Sequence, residues 1–215
     1  MVTDPPYGVE YDPGWRERNL DSDVEKSYIP PEHDNVGLWD GAFNFFTGDV
    51  AYVWHAHLFS MTVYSYLSRN KFEVRSQIIW DKTKITISRG HYHWQHEPCF
   101  YAVRSGKPSR WCGDRKQSTI WAFNNLSASS HTGEERVGHA CQKPVECMAR
   151  PIRNHGAKGD YIYEPFSGSG TTIIACEQLE RRCMAIELTP KYVDMALSRW
   201  EKLTGGTAER IATAD

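Results

Sequence analysis

The sequence predicts a single α/β domain with a doubly wound, mostly parallel sheet, and three observations support this prediction. The chain has 215 residues, of which 40% are hydrophobic and 24% are charged, and folding of a chain this long buries roughly 70% of the surface that the unfolded chain exposes. Residues 160–203 alternate short apolar runs with amphipathic stretches, the β-α-β order of a parallel sheet. Short β-like runs in residues 39–149 supply further strands.

The first two thirds of the sequence predict a loop, a helix and two strands. Residues 8–38 are rich in Gly, Pro, Asp and Glu without a regular apolar period, so we expect a long, mobile surface loop. Residues 48–68 carry apolar side chains near helical spacing and are predicted to form a helix. The apolar runs at residues 77–80 and 99–103 are predicted to be strands.

The last third predicts a β-α-β unit and a final helix. A strand, a glycine turn, a helix and a second strand follow one another over residues 161–163, 166–170, 171–180 and 183–186. Thr189 and Pro190 are residue types favoured at the N-cap and first position of another helix, which the pair Gly205-Gly206 ends. We expect residues 204–215 to form a flexible tail.

The charge distribution is uneven, although the formal net charge is only −2. Residues 1–40 hold ten carboxylates against three basic side chains. Residues 104–116 instead hold five basic side chains against Asp114, namely Arg104, Lys107, Arg110, Arg115 and Lys116. A local basic patch of this kind attracts a polyanion.

The first residues of the sequence carry neither the basic nor the apolar region of a signal peptide, and no apolar run reaches the roughly 20 residues that cross a membrane. Its six cysteines include no C-x-x-C pair, so we expect reduced thiols and a cytoplasmic protein without a membrane partner. His91, His93 and His96 stand near Cys99, but no second ligand pair with zinc spacing accompanies them. We therefore predict no metal site.

Gly168-Ser169-Gly170 lies between a predicted strand and a predicted helix. Glycines there let a ligand approach the backbone, and the free N–H groups at a helix start face that ligand. Glu187 follows Gly168 by 19 residues, at the end of the next strand, where an acidic side chain accepts both hydroxyls of a ribose. The alternative is a turn that only packs helix against sheet, with Glu187 a solvated strand end.

Two common nucleotide-binding motifs are absent from this turn. A kinase-type P-loop has a lysine after the second glycine, but Thr171 and Thr172 follow Gly170. A nicotinamide-binding loop has a third glycine three residues further on, where this sequence has Ile173. The turn therefore favours a nucleoside cofactor without a pyrophosphate.

Asp4-Pro5-Pro6-Tyr7 forms a stiff tetrad. Each proline fixes its φ at about −65° and restricts the residue before it, so this backbone holds its carbonyl groups in set directions. The Asp4 carboxylate and the Pro5 carbonyl can accept the two N–H hydrogens of an exocyclic base amine, and Tyr7 offers a flat face to the base. The alternative is a proline turn with an exposed tyrosine.

Together these features resemble the amino-group DNA methyltransferases, which use S-adenosylmethionine and act on adenine N6 or cytosine N4. The resemblance covers nearly the whole chain and rests on residues 4–7, His139, residues 142–146, 150–152 and 164–172, and Glu187. The tetrad precedes the glycine turn, as in the permuted β group of this family, which includes phage and restriction-modification enzymes. The resemblance implies a Rossmann-like methyltransferase fold with a small DNA-facing insertion at about residues 104–139.

The resemblance also implies roles for individual residues. Asp4, Pro5, Pro6 and Tyr7 would act on the target base, beside strands that contain residues 80–82 and 96–101. Nine residues would form the S-adenosylmethionine site: Lys143, Pro144, Glu164, Phe166, Gly168, Gly170, Thr171, Thr172 and Glu187. Double-stranded DNA would contact the basic side chains Arg104, Lys107, Arg110, Arg115 and Lys116.

Asp4 favours transfer to adenine N6, since the cytosine N4 enzymes more often carry Ser at that position. Cytosine N4 methylation and a catalytically silent DNA-binding relative are the alternatives. Three residues precede the tetrad where the family normally has several apolar ones. Whether the catalytic strand is structurally ordered is therefore left open. Because the insertion is small, we expect a short DNA target or a homodimer.

Overall fold

The computed structural model describes residues 1–6, 39–86, 91–123 and 142–211. Their strands are β1 Val2–Thr3, β2 Val50–Trp54, β3 Phe72–Thr86, β4 Trp94–Arg104, β5 Ile120–Ala122, β6 Tyr161–Glu164 and β7 Arg182–Ala185. Their helices are α1 Trp39–Asn44, α2 Ser60–Arg69, α3 Val145–His155, α4 Thr171–Gln178 and α5 Pro190–Thr204, with a 3-10 helix at His57–Phe59. Tyr7, His139, the predicted loop at 8–38 and residues 124–139 of the predicted insertion lie outside the described residues.

Five strands form one sheet in the order β1-β2-β4-β3-β5, and β6 and β7 form a parallel pair. β1 is parallel to β2 and β3 is parallel to β5, whereas β4 is antiparallel to both β2 and β3. Within the described part of the five-stranded sheet, β4 is therefore the one reversed strand. This arrangement confirms the predicted mostly parallel sheet.

Helices cover both faces of the sheet. Trp54 of β2 shares one buried cluster with Ile152 of α3 and Ile174 of α4. The neighbouring Val53 points to the other face and shares a second buried cluster with Leu67 of α2. Successive side chains of a strand point to opposite faces, so these two clusters show that the sheet is doubly wound, as the sequence predicted.

The predicted helix at residues 48–68 is wrong in its first half. Val50–Trp54 forms β2, and α2 begins at Ser60. Four of the five β2 residues are buried, because helices pack on both faces, and apolar and polar side chains therefore do not alternate along this strand. A short apolar run that is buried on both sides has the same sequence pattern as part of a buried helix.

The other predicted strands and helices are confirmed, with small differences at their ends. Residues 77–80 and 99–103 lie within β3 and β4, and the predicted β-α-β unit consists of β6, α4 and β7. Helix α5 begins at Pro190, after Thr189 at the N-cap position, and ends before Gly205, whose φ is +71°. Helix α3 was not predicted.

The ends of β1 and β6 lie side by side. Thr3 Oγ1 at the end of β1 donates to Glu164 Oε1 at the end of β6, over 2.5 Å. The tetrad and the glycine turn, which continue from these strands, therefore start at the same edge of the fold. The end of β2 is at this edge too, and its Trp54 pairs with Cys99 of β4. We call this end of the sheet the carboxyl edge, the usual place for ligands in open α/β sheets.

Candidate active site

Asp4 lies directly beyond β1 and forms an ion pair with Lys143. Asp4 Oδ2 is 2.7 Å from Lys143 Nζ, and this ammonium is also 2.7 Å from Glu97 Oε2. Glu97 Oε1 is in turn 2.5 Å from Lys82 Nζ. Four charged side chains from separate segments thus alternate in sign, and we call the series Asp4, Lys143, Glu97 and Lys82 the ion-pair chain.

The ion-pair chain is largely shielded from water. The Lys143 side chain is 4% exposed, and those of Asp4 and Glu97 are 18% and 20% exposed. Burial acts to lower the pKa of Lys143, but the carboxylates of Asp4 and Glu97 outweigh it and raise that pKa above its usual range. Burial acts to raise the pKa of Glu97, but Lys143 and Lys82 lower it to about 2. Lys143 and Glu97 are therefore both charged at neutral pH.

Glu164 is buried between β1, the glycine turn and α4. Its Oε1 accepts hydrogen bonds from Thr3 Oγ1 at 2.5 Å and Phe166 N at 3.1 Å, and its Oε2 accepts one from Thr172 Oγ1 at 2.7 Å. Burial raises the pKa of Glu164 to about 8, although these three donors act in the opposite direction. Glu164 and Thr172, both predicted to contact the cofactor, hold the turn against β1 from inside the protein.

The glycine turn presents a small set of polar groups. Gly168 and Gly170 have φ values of +52° and +79°, in the left-handed region that favours glycine. A Cβ atom on Gly170 would lie 2.6 Å from the Cβ atom of Ala196, so α5 packs closely on this glycine. Phe166 and Gly168 are half-buried. Within the described residues, Ser167 Oγ is a buried hydroxyl oxygen with no hydrogen-bond partner in the protein, as expected of a group that meets a polar ligand.

Glu187 lies beside the turn, as its spacing predicted. Its Oε2 accepts a hydrogen bond from Gly168 N at 2.7 Å, and its Oε1 accepts one from Thr189 N at 2.8 Å. The carboxylate therefore joins the glycine turn to the start of α5. Each oxygen of a carboxylate has two lone pairs, so this group retains the capacity to accept a ribose hydroxyl.

Lys143 faces the turn with its backbone alone. Thr171 Oγ1 donates to the Lys143 carbonyl at 3.4 Å, while Arg199 lies 2.6 Å from the Ser169 carbonyl oxygen. The Lys143 side chain extends the other way, to Asp4. The resemblance placed this lysine in the cofactor site, whereas the structure places its ammonium in the ion-pair chain.

The nine residues predicted for the cofactor site lie around one turn but differ in burial. Six are buried, namely Lys143, Pro144, Glu164, Gly170, Thr171 and Thr172. Three keep exposed surface, namely Phe166, Gly168 and Glu187. A bound ligand can therefore contact the side chains of Phe166 and Glu187 and the backbone of Gly168, while the buried six shape the turn beneath them.

The five basic residues predicted to contact DNA lie away from the carboxyl edge. Arg104 follows Cys99 by five residues along β4, so about 17 Å of strand separates Arg104 from that edge. Its guanidinium donates to the carbonyls of Phe46 and Gly48 at 2.7 and 3.0 Å. Arg110 forms an ion pair with Asp49, just before the start of β2, and Gln117, which follows Arg115 and Lys116, forms a hydrogen bond with Asn154 in the last turn of α3. The structure therefore does not bring Asp4 together with the basic residues Arg104, Lys107, Arg110, Arg115 and Lys116. Their contact with DNA stays a prediction.

Lys82 and Glu97 are site residues that the sequence predicted only as parts of two strands beside the base pocket. Their signal is a charged side chain close to an apolar run, at residues 77–80 for Lys82 and 99–103 for Glu97, and such a side chain requires a partner of opposite charge when it is buried. Trp80 pairs with Glu97 across β3 and β4, and this register brings Lys82 within reach. His57 and Trp94 stack at the same edge, so aromatic rings border the ion-pair chain.

The described residues contain neither a cluster of metal-binding side chains nor a membrane-spanning helix. Across residues 1–6, 39–86, 91–123 and 142–211, no three His, Cys, Asp or Glu side chains are grouped so as to hold a metal ion. The helices of these same ranges include none with the length and apolar character of a membrane span.

Comparison with known proteins identifies similar sequences along most of the chain. The model of the N6/N4 methyltransferase family, described as DNA methylase, matches residues 1–198. The type II methyltransferase M2.MboI of Moraxella bovis is 25% identical over 225 residues, which cover 95% of this chain and 81% of that protein. M.Cfr9I of Citrobacter freundii is 31% identical over 153 residues, which cover 62% of this chain and 46% of that protein. The chain thus spans about half the length of M.Cfr9I.

Solved structures of methyltransferases have the same fold. The M1.HpyAVI complex with SAM superposes with a TM-score of 0.66 at 23% identity, over 92% of this chain and 86% of that one. The cytosine-N4-specific PvuII DNA methyltransferase superposes with a TM-score of 0.66 at 14% identity, over 93% of this chain and 78% of that one. These similarities confirm the predicted Rossmann-like methyltransferase fold.

Proposed function

The chain belongs to the DNA methylase family of N6/N4 methyltransferases, and from this premise we propose that it transfers a methyl group from S-adenosylmethionine to the exocyclic N6 of adenine in double-stranded DNA. The observation that carries the proposal is the position of Asp4. Its carboxylate is held by the buried Lys143, and it follows Thr3, which is bonded to Glu164 at the base of the glycine turn. An ionised carboxylate accepts hydrogen bonds and donates none, as an amine with two N–H groups requires.

The glycine turn is the proposed site of S-adenosylmethionine, which supplies an electrophilic methyl group on a sulfonium sulfur when bound. Glu187, already bonded to Gly168 N, accepts from the ribose. The unpaired Ser167 hydroxyl adds a polar partner, and the half-buried Phe166 offers an aromatic face. These groups supply an acceptor, a donor and an apolar surface within one turn, which fits a nucleoside cofactor.

Asp4 and Pro5 act on the target amine. The nitrogen of an exocyclic amine is a poor nucleophile because its lone pair is conjugated with the ring. Two acceptors that draw on its hydrogens favour the pyramidal form, in which the lone pair is available, and they stabilise the positive charge that develops on nitrogen. The stiff proline backbone holds both acceptors in place. The base must leave the duplex to reach them.

The choice between adenine and cytosine as the target base is the more specific part of the proposal. The Asp at the first position of the tetrad supports adenine, because the cytosine N4 enzymes that this sequence resembles more often carry Ser there. The fold does not separate the two, since the cytosine-N4-specific PvuII enzyme superposes over 93% of this chain. The modified nucleoside must therefore be identified directly.

Methyl transfer is tested by incubation of the purified protein with S-adenosylmethionine that carries a tritiated methyl group and with mixed-sequence duplex DNA. The DNA is then digested to nucleosides, which are separated and identified by mass spectrometry. We expect labelled N6-methyladenine. Labelled N4-methylcytosine would instead assign the protein to cytosine. Bound S-adenosylmethionine without any labelled nucleoside would identify a catalytically silent relative.

A further inference from the structure

Lys143 contacts two carboxylates at once, and because it is buried, little water screens either contact. Its Nζ lies 2.7 Å from Asp4 Oδ2 and 2.7 Å from Glu97 Oε2. A lysine side chain is flexible by itself, but this one lies at the rigid start of α3, next to Pro144, with Nζ 5.6 Å from the ring centre of Trp54. The ammonium is thereby fixed against Asp4.

We infer that Lys143 and Glu97 are positioning residues for methyl transfer: Lys143 aims the Asp4 carboxylate and keeps it ionised, and Glu97 holds Lys143 while it offsets part of the positive charge. This inference rests on the proposed function. A carboxylate paired with an ammonium of its own would be close to neutral and a weak acceptor. Because Lys143 is shared with Glu97, only part of its positive charge is offset by Asp4, and this carboxylate stays a strong acceptor beside the target amine.

Lys82 completes this arrangement from the other side. It lies 2.5 Å from Glu97 Oε1, so one oxygen of Glu97 faces Lys82 and the other faces Lys143. Glu97 is therefore oriented by two cations, and its pKa of about 2 keeps it charged in any pH range where the folded enzyme is assayed. The electrostatic environment of Asp4 is therefore set by Lys143, Glu97 and Lys82, which are held in fixed positions on three separate elements.

Other titratable groups near Lys143 are neutral at neutral pH. Burial raises the pKa of the Cys99 thiol on β4 and of the Cys147 thiol on α3. Burial lowers the pKa of His55, which follows β2, to about 4. Glu164, at the end of β6, has its pKa raised by burial to about 8. Changes of charge at Lys143 and Glu97 are therefore expected to act on Asp4 in opposite directions.

The test measures the single-turnover rate of methyl transfer against pH for Lys143→Met and Glu97→Gln, since single turnovers separate chemistry from product release. Lys143→Met removes the cation, so the acidic limb of the profile should move to higher pH and the rate should fall on the order of 100-fold. Glu97→Gln removes an anion, so the acidic limb should move to lower pH, with a smaller fall in rate. Affinity for S-adenosylmethionine should change little, because Lys143 faces the turn through its carbonyl.

Matched controls come from the exposed pair Lys158 and Glu180, whose side chains are 71% and 65% exposed. Lys158→Met and Glu180→Gln should leave rate and profile unchanged. If Lys143→Met does not fold, two other variants test the inference. They are Glu97→Gln alone and the double variant Lys143→Met/Glu97→Gln, which removes both charges.

Opposite shifts of the acidic limb support the inference, because a purely structural role would not produce them. Unchanged pH profiles, or shifts of both variants in the same direction, overturn the inference. The proposed function still stands in that case, because the wild-type protein methylates DNA. A wild-type protein that binds S-adenosylmethionine but methylates no base would overturn the proposed function itself.

Discussion

The Thr3 hydroxyl donates a hydrogen bond of 2.5 Å to the carboxyl group of Glu164, although 161 residues separate the two in the chain. Both residues are 1% exposed. The bond ties the end of β1 to the end of β6, from which Asp4 and the glycine turn continue. The relative position of the base-binding tetrad and the cofactor turn therefore depends on a buried polar contact between the first and last thirds of the chain.

Replacement of Thr3 by Val keeps the branched shape of the side chain but removes the hydroxyl. Glu164 then loses a buried donor, and we expect the free energy of unfolding to fall by about 1–3 kcal/mol. The measurement is urea unfolding at neutral pH. Thr3→Ser retains the hydroxyl and should lose less. Equal stability of Thr3→Val and the wild type would show that this bond contributes nothing net.

Glu164 should also make the stability pH-dependent. Its pKa rises from the ordinary 4.5 to about 8 on folding because the carboxyl is buried. The folded protein therefore holds this proton more tightly than the unfolded chain, so the stabilisation is complete below the ordinary pKa and is lost as the pH rises through the folded value.

The neutral variant Glu164→Gln removes this titration. We expect its free energy of unfolding, relative to that of the wild type, to increase steadily between about pH 5 and pH 8. Urea unfolding of both proteins across this range provides the measurement. The lowered pKa of Glu97 affects the free energy of unfolding only below this pH range, because the stability that ionised Glu97 contributes is lost as the pH falls from 4.5 toward 2. A constant difference between the two proteins would contradict the buried proton at Glu164.

The C-terminal unit was predictable because its signals are local. The apolar runs, the glycines at 168 and 170, and Pro190 at the start of α5 each specify structure within a few residues of themselves. Helix α3 lacked such signals, since it contains Pro151 and begins after Pro144 without a side-chain cap. Its buried face becomes recognisable only where it packs on the sheet.

The ion-pair chain and the position of the basic stretch depend on topology. Asp4, Lys82, Glu97 and Lys143 meet because strand order and register bring four distant segments to the carboxyl edge. Arg104 lies at the opposite end of the sheet because β4 is antiparallel to its neighbours and runs away from the carboxyl edge. A single sequence contains neither the strand order nor the direction of β4, so charge clustering along the chain indicated a patch without its place in the fold.

Asp4→Ala should abolish methyl transfer while binding of S-adenosylmethionine is largely retained. The variant removes the acceptor that acts on the target amine, and Lys143 remains paired with Glu97, so no buried cation is left without a partner. The measurements are tritium transfer to DNA and calorimetric titration with S-adenosylmethionine. Methyl transfer by the variant at the wild-type rate would refute the role of Asp4.

The exposed residues Lys107, Arg115 and Lys116 should contribute little to the methylation rate, because they belong to a stretch that begins at Arg104, at the end of β4 opposite the carboxyl edge. We expect the triple alanine variant to methylate DNA at nearly the wild-type single-turnover rate. DNA affinity measured against salt concentration reports how many phosphate contacts are lost, since each contact changes the slope by about 0.9. A slope reduced by about three, together with weak binding, would place DNA on this surface after all.

Glu187→Ala should weaken binding of S-adenosylmethionine by about 1–3 kcal/mol, the cost of losing hydrogen bonds to a charged acceptor. The substitution also frees Gly168 N and Thr189 N, so a loosened turn must be distinguished from a lost ribose contact. Calorimetry with S-adenosylhomocysteine and with its 2′-deoxy analogue makes this distinction. If Glu187 accepts the ribose hydroxyl, the deoxy analogue binds the wild type more weakly but binds Glu187→Ala as well as the parent compound does. Glu180→Ala, at an exposed site, should leave both affinities unchanged, and an equal penalty for the analogue in all three proteins would place the ribose elsewhere.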